Sequence, residues 1–324
     1  MKIYRTLDEV PADFGPSALT IGNFDGVHLG HRQILRRLKQ LADAHGWKPS
    51  VLTFDPHPLS VVAPHRAPHL MTSPGRRAEL MRQEGIEQVL ILPFTAELAQ
   101  VSPEDFVRRI VVDRLGARAV LVGDNFRFGH RHAGDVHLLE ALGRELGFLT
   151  EVIHAVGCRG RIVSSSGIRE LVQAGKVALA ARLLEHPYAL EGEVVSGHGI
   201  GSKQTVPTLN LAPGAELVPA RGVYFTRTTD LEDARRAWDS ITNVGYRPTF
   251  GASDRLTVET FLLDPLTGAS PHRIRVEFLW RVRDERQFES PEALRAQILR
   301  DVAAARRYFR RRRAWLERIP CTSS

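Results

Sequence analysis

Through about residue 185, short apolar runs alternate with stretches whose apolar residues recur at helical spacing. Residues 18–21 read as a strand that meets the turn Gly22-Asn23-Phe24-Asp25-Gly26, after which Ile34, Leu35, Leu38 and Leu41 mark one face of a helix. Further strands are expected over 51–54, 89–92, 119–122 and 148–153. Helices are expected from Ser73-Pro74 to near Gly85, from Ser102-Pro103-Glu104-Asp105 to about Leu115, and over 136–146. Each Ser-Pro pair offers an N-cap with proline at the first helical position. Strand and helix in alternation predict an α/β doubly wound parallel sheet, because parallel neighbours need crossover connections.

The pattern changes at His186-Pro187. Runs of β type over 188–195, 209–211, 223–228, 241–244, 258–263 and 274–280 succeed one another between Gly and Pro without helices. That predicts a small antiparallel β-barrel or sandwich. Ser290-Pro291-Glu292 then opens a C-terminal helix with Leu294, Ile298, Val302 and Ala305 on one face. The expected domains are 1–186 and 187–324. Composition agrees: 324 residues, 43% of them hydrophobic, exceed the roughly 250 beyond which one core tends to split. The net charge of +7 favours anionic ligands without choosing among them. Only two cysteines, Cys158 and Cys321, lie far apart, which argues against a disulfide framework or a zinc site and fits a reducing compartment. No stretch approaches the ~18 apolar residues of a membrane span, so a soluble cytoplasmic protein is expected, with no membrane partner.

The segment joining the first strand to the first helix, from Gly22 to His31, is the richest in chemistry. A strand-to-helix junction favours phosphate through its backbone N–H groups and the positive helix end. His28 and His31 are three apart and project to one side, with Gly30 letting a ligand approach, so two imidazoles can donate to charge growing on an α-phosphate. Asp55-Pro56-His57-Pro58 follows the second strand, Gly123-Asp124-Asn125-Phe126-Arg127-Phe128-Gly129 the fourth, and Ser164-Ser165-Ser166-Gly167-Ile168-Arg169 the fifth. Parallel sheets bind ligands beyond the carboxyl ends of their strands, so these clusters converge on one crevice. The serine hydroxyls and Arg169 would grip a triphosphate. In the second half, Thr208 and Asn210 share one side of a strand and offer oxygen ligands for Mg²⁺ held mainly by ATP phosphates. Glu259, inside a β-run, is a candidate general base.

These segments resemble the bacterial bifunctional riboflavin kinase/FMN adenylyltransferase (FAD synthetase) family, over nearly the whole chain. The resemblance implies an N-terminal, Rossmann-like HxGH nucleotidyltransferase that joins AMP from ATP to FMN, giving FAD and pyrophosphate. It implies that His28 and His31 steady the ATP phosphates, that Asn125 and Ser164, Ser165, Ser166 and Arg169 bind ATP, and that the Asp55 loop positions the flavin phosphate. Gly22, Asn23, Phe24, Asp25 and Gly30 fall in the same ATP and flavin site by this resemblance. The second module is implied to be a β-barrel kinase with a PTxN motif, matched by Pro207-Thr208-Leu209-Asn210. Thr208 and Asn210 would then bind Mg-ATP, and Glu259 would accept the proton of the riboflavin ribityl 5′-hydroxyl. Gly199, Gly201, Lys203, Tyr224, Asn243 and Arg247 complete the implied kinase ligand set.

The chain departs from the family pattern at several places. Ser166 stands where Thr is usual, keeping the hydroxyl. Ile200 and Ser202 replace arginines before the PTxN motif, Thr205 and Val206 replace Gly-Phe, and Ala269-Ser270-Pro271 lies where Tyr-Gly is often found. These changes leave open an FMN adenylyltransferase with an impaired kinase barrel. A third reading makes the C-terminal module, with Arg306 to Arg313 and Trp315, a nucleic-acid binder; a basic helix end that suits the helix dipole is the simpler expectation. Riboflavin, ATP, FMN, FAD and pyrophosphate are the expected ligands, nucleic acid is not expected, and a homo-oligomer is compatible with the sequence.

Overall fold

In a computed structural model, residues 1–158, 161–195, 208–249 and 252–317 are described. They form two compact units, Met1–Gly167 and Ile168–Ser324.

The first unit is built on six strands: β1 (Lys2–Tyr4), β2 (Ser17–Ile21), β3 (Lys48–Asp55), β4 (Gln88–Pro93), β5 (Ala117–Gly123) and β6 (Leu149–Ile153). They pair in the order β1-β4-β3-β2-β5-β6, and every pairing is parallel. The expected doubly wound sheet is present with one more strand than the apolar runs indicate. Helix α1 (Leu29–His45) buries Leu35, Leu38 and Leu41 as its spacing predicts and ends at Gly46 in the left-handed conformation, φ 68°. Short α2 (Pro58–Val62) follows β3, and α3 (Pro74–Gln83) is capped by Ser73, whose hydroxyl accepts from Arg76 N–H. The helix expected from Ser102 opens as α4 (Pro103–Asp105) and continues as a π-helix over Phe106–Arg114. Helix α5 (Val136–Leu146) completes the crossovers, and a two-residue hairpin, β7 (Gly157–Cys158) and β8 (Arg161–Ile162), follows β6.

Apolar layers cover both faces of this sheet. Leu35, Leu38, Leu80 and Met81 pack with Val51, Val89 and Leu121 on one side. Phe106, Ile110, Leu139 and Leu142 pack with Leu19, Leu52 and Val120 on the other. Central strand β2 is buried at all five positions, as a parallel strand sandwiched between helices must be.

Helix α6 (Ser165–Gln173) runs into the second unit and is followed by α7 (Val177–Leu184). Strands β9 (Tyr188–Val195), β10 (Thr208–Pro213), β11 (Gly222–Asp230), β12 (Ala237–Thr249), β13 (Ala252–Leu262) and β14 (Arg273–Arg283) then close an antiparallel barrel in the order β10-β13-β12-β11-β14-β9. The two-residue alternation sorts their side chains. Tyr224, Thr226, Thr228, Ser240, Thr242, Val244, Val258, Thr260 and Leu262 are buried at one parity, while Val223, Phe225 and Ile241 at the other join Ala305 and Phe309 of α8 (Pro291–Leu316). Of the apolar face expected on α8, Val302 and Ala305 pack on the barrel, whereas Leu294 and Ile298 remain about 40% exposed. Polar groups occupy that end instead: Asp301 accepts from Arg283 Nη2 at 2.8 Å and from Gln297 Nε2 at 2.7 Å. The basic tail is partly committed as well, since Arg306 donates to Leu263 O and Arg313 pairs with Asp239.

A ladder of hydroxyls runs through the buried parity of the barrel. Thr226 lies 2.8 Å from both Ser240 and Thr242, Ser240 is 2.8 Å from Thr228, and Thr242 is 2.9 Å from Thr260. Each hydroxyl satisfies its neighbour, so Thr242→Val, which keeps the shape, leaves the hydroxyls of Thr226 and Thr260 each short of a partner. It is expected to cost about 1–3 kcal/mol, read as a lower denaturation midpoint of the barrel with adenylyl transfer unchanged.

Candidate functional site

The sheet order reverses between β2 and β5, and the loops leaving their carboxyl ends flank the switch point where such sheets bind ligands. The loop after β2 is shaped by its apolar residues: Phe24 and Val27 are buried beside Leu35 and Leu38, with Phe24, Gly26 and Val27 at φ 50°, 82° and 39°. Burial of two large side chains holds those left-handed turns.

His28 is the N-cap of α1 rather than a residue of its first turn, and its Nδ1 accepts from His31 N–H at 3.4 Å. The cap keeps Nδ1 unprotonated, so the ring's proton sits on Nε2. The two imidazoles stack with centroids 3.6 Å apart and planes 15° from parallel, and His31 meets the edge of Phe24. A Cβ on Gly30 would lie 3.3 Å from His28 Cε1, so glycine here leaves room for the ring. His31 Nδ1 is buried with no hydrogen-bond partner. Burial holds the His31 pKa well below its ordinary value, and the neighbouring charges of His28 and Arg77 push it the same way.

Three other expected residues, Asn23, Asp25 and Ser165, make contacts within or onto the loop that carries this pair. Asn23 Nδ2 lies 3.1 Å from His57 Nε2, joining the first loop to the segment that follows Asp55 at the end of β3. Asp25 is turned inward: its carboxylate accepts from Met71 N–H and Thr72 N–H at 2.9 and 3.0 Å and from the Thr72 hydroxyl at 3.1 Å. Gly22 continues the β2 alignment, its N–H donating to Leu52 O. Ser165 donates to Asp25 O at 3.2 Å, bringing the start of α6 onto the same loop, while Ser164 Oγ accepts from Gly167 N–H and Ser166 is exposed. Arg169 lies one turn further along α6, beyond Gly167. Asn125 is exposed in the turn that leaves β5.

One residue absent from the sequence reading stands at the centre. Arg77 of α3 is 3% exposed, and its Nη1 donates to Asn23 O at 2.7 Å and to Thr53 Oγ1 at 3.1 Å. Desolvation lowers its pKa while Asp25 and Asp55 oppose that shift. A surface-helix pattern hides such a residue, because Arg76-Arg77 reads as a solvated pair; the helix buries both.

In the barrel, strand register lines up three expected residues. Asn210 of β10 pairs with Glu259 of β13, and Glu259 pairs with Asn243 of β12. All three are half-buried and of opposite parity to the hydroxyl ladder; Thr208, two residues before Asn210, is exposed on the same side. Tyr224 is not part of that row. It is fully buried at the ladder's parity, edge-on to Phe278, with its hydroxyl donating to Ala220 O. Arg247 lies in β12 opposite Arg255. Glu285, which sequence reading passed over, places its carboxylate where a Cβ on Gly245 would stand. Gly199, Gly201 and Lys203, with Ile200, Ser202, Thr205, Val206 and Pro207, lie outside the described residues.

Residues 10–167 match the FAD synthetase family and residues 184–309 the riboflavin kinase family. A bifunctional riboflavin kinase/FMN adenylyltransferase of Pseudomonas fluorescens is 36% identical over 306 residues, covering 94% of this chain and 97% of that protein. The protein of that description from Escherichia coli K12 is 34% identical, covering 95% and 98%. A solved structure described as a macrolide-efflux protein from Streptococcus pneumoniae superposes with a TM-score of 0.82 at 24% identity, over 94% of this chain and 98% of that one, which shows a shared fold. With a parallel sheet, a closed barrel and identity sustained over nearly full length, this chain belongs to the bifunctional riboflavin kinase/FMN adenylyltransferase family.

Proposed function

We propose that the barrel unit phosphorylates riboflavin to FMN with ATP and that the parallel-sheet unit adenylylates FMN to FAD with release of pyrophosphate. The observation that carries the adenylyl-transfer reading is the stacked His28–His31 pair at the sheet's switch point. A phosphate oxygen of FMN attacks the α-phosphorus of ATP, the bond to the bridging oxygen breaks, and pyrophosphate leaves. The nucleophile is already anionic, so no covalent enzyme intermediate is needed and positioning dominates. His28 Nε2–H, with His31 beside it, donates to the charge that builds on the α-phosphoryl oxygens. Gly22, Asn23, Phe24, Asp25 and Gly30 shape that loop, Asp55 serves the flavin phosphate, and Asn125, Ser164, Ser165, Ser166 and Arg169 serve ATP. Asp25 acts through the backbone it clasps.

At the barrel, Glu259 takes the ribityl 5′-hydroxyl proton as that oxygen attacks the γ-phosphorus, and ADP leaves. Its neighbours Asn210 and Asn243 fit this role because strand register sets them on either side of it. Thr208 and Asn210 offer a hydroxyl and an amide oxygen on one strand face, hard donors that suit Mg²⁺. Bound there, Mg²⁺ would neutralise phosphate charge. Gly199, Gly201, Lys203, Tyr224 and Arg247 belong to the proposed kinase unit, with Tyr224 contributing from the barrel core. The functional division is placed at 186/187, just inside the start of the riboflavin kinase match at 184. A cytoplasmic location belongs to the same proposal, supported by the presence of only two cysteines, far apart in sequence and without metal-ligand spacing; among the described residues no helix is long and apolar enough to cross a membrane.

Purified chain incubated with riboflavin, ATP and Mg²⁺ is expected to yield FMN first and FAD later when flavins are separated over time. FAD formed only from supplied FMN would remove the kinase half, and no FAD from FMN would remove the adenylyltransferase half.

A further inference from the structure

We propose that Arg77 is a positioning residue for adenylyl transfer: its buried guanidinium is a fixed cation at the base of the loop that carries His28, tying the loop after β2 to the end of β3. This rests on the adenylyltransferase reading above and adds a residue from a helix outside its motifs.

Three acceptors define the position. Arg77 Nη1 reaches Asn23 O at 2.7 Å, Thr53 Oγ1 at 3.1 Å and Phe54 O at 3.4 Å, so one guanidinium spans the loop that ends in His28 and the strand that ends in Asp55. The Thr53 hydroxyl itself donates to Asn23 O at 3.3 Å, closing the arrangement. Side-chain entropy is already lost by burial at 3% exposure, and the one bonded nitrogen, Nη1, sits at the end of a rigid planar group, whereas a lysine ammonium would sit on a flexible stem.

The charge has a second consequence. His28 on the loop, stacked at 3.6 Å, and Arg77 from α3 both act on His31, while Phe24 covers its edge. Asp25 from the loop and Asp55 from the end of β3 act on Arg77 in turn. A proton added to His31 Nδ1 would enter a buried position without an acceptor and beside a cation. The ring would have to leave the stack to find one. Burial is the main reason His31 stays uncharged and Arg77 adds to it, so removal of Arg77 raises the pKa of His31 and costs activity on the acid side first.

The test uses the full chain as Arg77→Gln and Arg77→Lys, with FMN adenylylation followed from about pH 6 to about pH 8. In Arg77→Gln, kcat/KM is expected to be lost at the acid end relative to the alkaline end, because His31 loses a neighbouring cation. In Arg77→Lys, which keeps the charge and loses the fork, kcat should drop while the acid limb stays in place. A profile in Arg77→Gln parallel to that of the unsubstituted chain overturns the proposal, as does an acid limb in Arg77→Lys shifted like that of Arg77→Gln. If Arg77→Gln fails to fold, Arg77→Lys decides: a fall in kcat with KM for FMN unchanged supports the role, and kinetics matching the unsubstituted chain overturn it. An unsubstituted chain that makes no FAD at any pH would instead remove the adenylyltransferase reading.

Discussion

Replacing His28 with alanine is expected to abolish FAD formation from FMN while riboflavin phosphorylation continues. The ring has two jobs that one substitution removes together. Its Nδ1 caps α1 by accepting from His31 N–H, and loss of an N-cap side chain costs about 1 kcal/mol. Its Nε2–H is the donor proposed for the developing phosphoryl charge, and removal of one such donor lowers kcat by about 10²–10³-fold. His28→Asn separates the two, because asparagine caps helices well but carries no imidazole Nε2–H. Both variants should lose adenylylation, and only His28→Ala should show the lower thermal midpoint in the first unit. Near-normal FAD production by either variant would take His28 out of the chemistry.

The second large effect is expected at Glu259. Glu259→Gln keeps the size and the neighbours Asn210 and Asn243 but cannot accept a proton, so riboflavin phosphorylation should fall by about 10²–10⁴-fold. Supplied FMN should still be converted to FAD at the unsubstituted rate, since, Arg169 apart, the residues proposed for adenylyl transfer belong to the other compact unit. The measurement is initial FMN formation from riboflavin, with FAD formation from FMN as the internal control. Phosphorylation that continues unchanged would leave Glu259 as an ordinary strand carboxylate.

Patterning alone indicates most of the architecture, and its failures have physical causes. Strands β2 to β5 announce themselves as apolar runs because both faces of the sheet are covered there. Edge strand β1 has three residues, Lys2 to Tyr4, with two exposed, too short and too polar to show as a run. The face expected on α8 fails at Leu294 and Ile298 because periodicity says which residues share a side of a helix, not how far the partner surface extends. Among site residues, the loops after β2, β3 and β5 and the start of α6 are legible because motif and position coincide. Arg77 is not legible, since a buried guanidinium leaves no hydrophobic signal and needs acceptors, Asn23 O and Thr53 Oγ1, that only the fold supplies. Tyr224 shows the converse limit. Its parity with Thr226 and Thr228 places it in the buried row, a distinction visible only once Asn210, Glu259 and Asn243 are known to form the opposite one.

The alternation of the barrel strands also bears on how such a chain can vary in length. In β10, β12 and β13 the hydroxyls and aliphatic residues that fill the interior interleave, one residue at a time, with the row proposed for phosphorylation. Inserting or deleting a single residue within one of these strands would exchange the two sets beyond that point, sending Glu259 inward and Thr260 outward. Lineages of this barrel are thus free to lengthen the connections between strands, whereas the strands themselves can change only by pairs of residues or by a bulge that restores the phase.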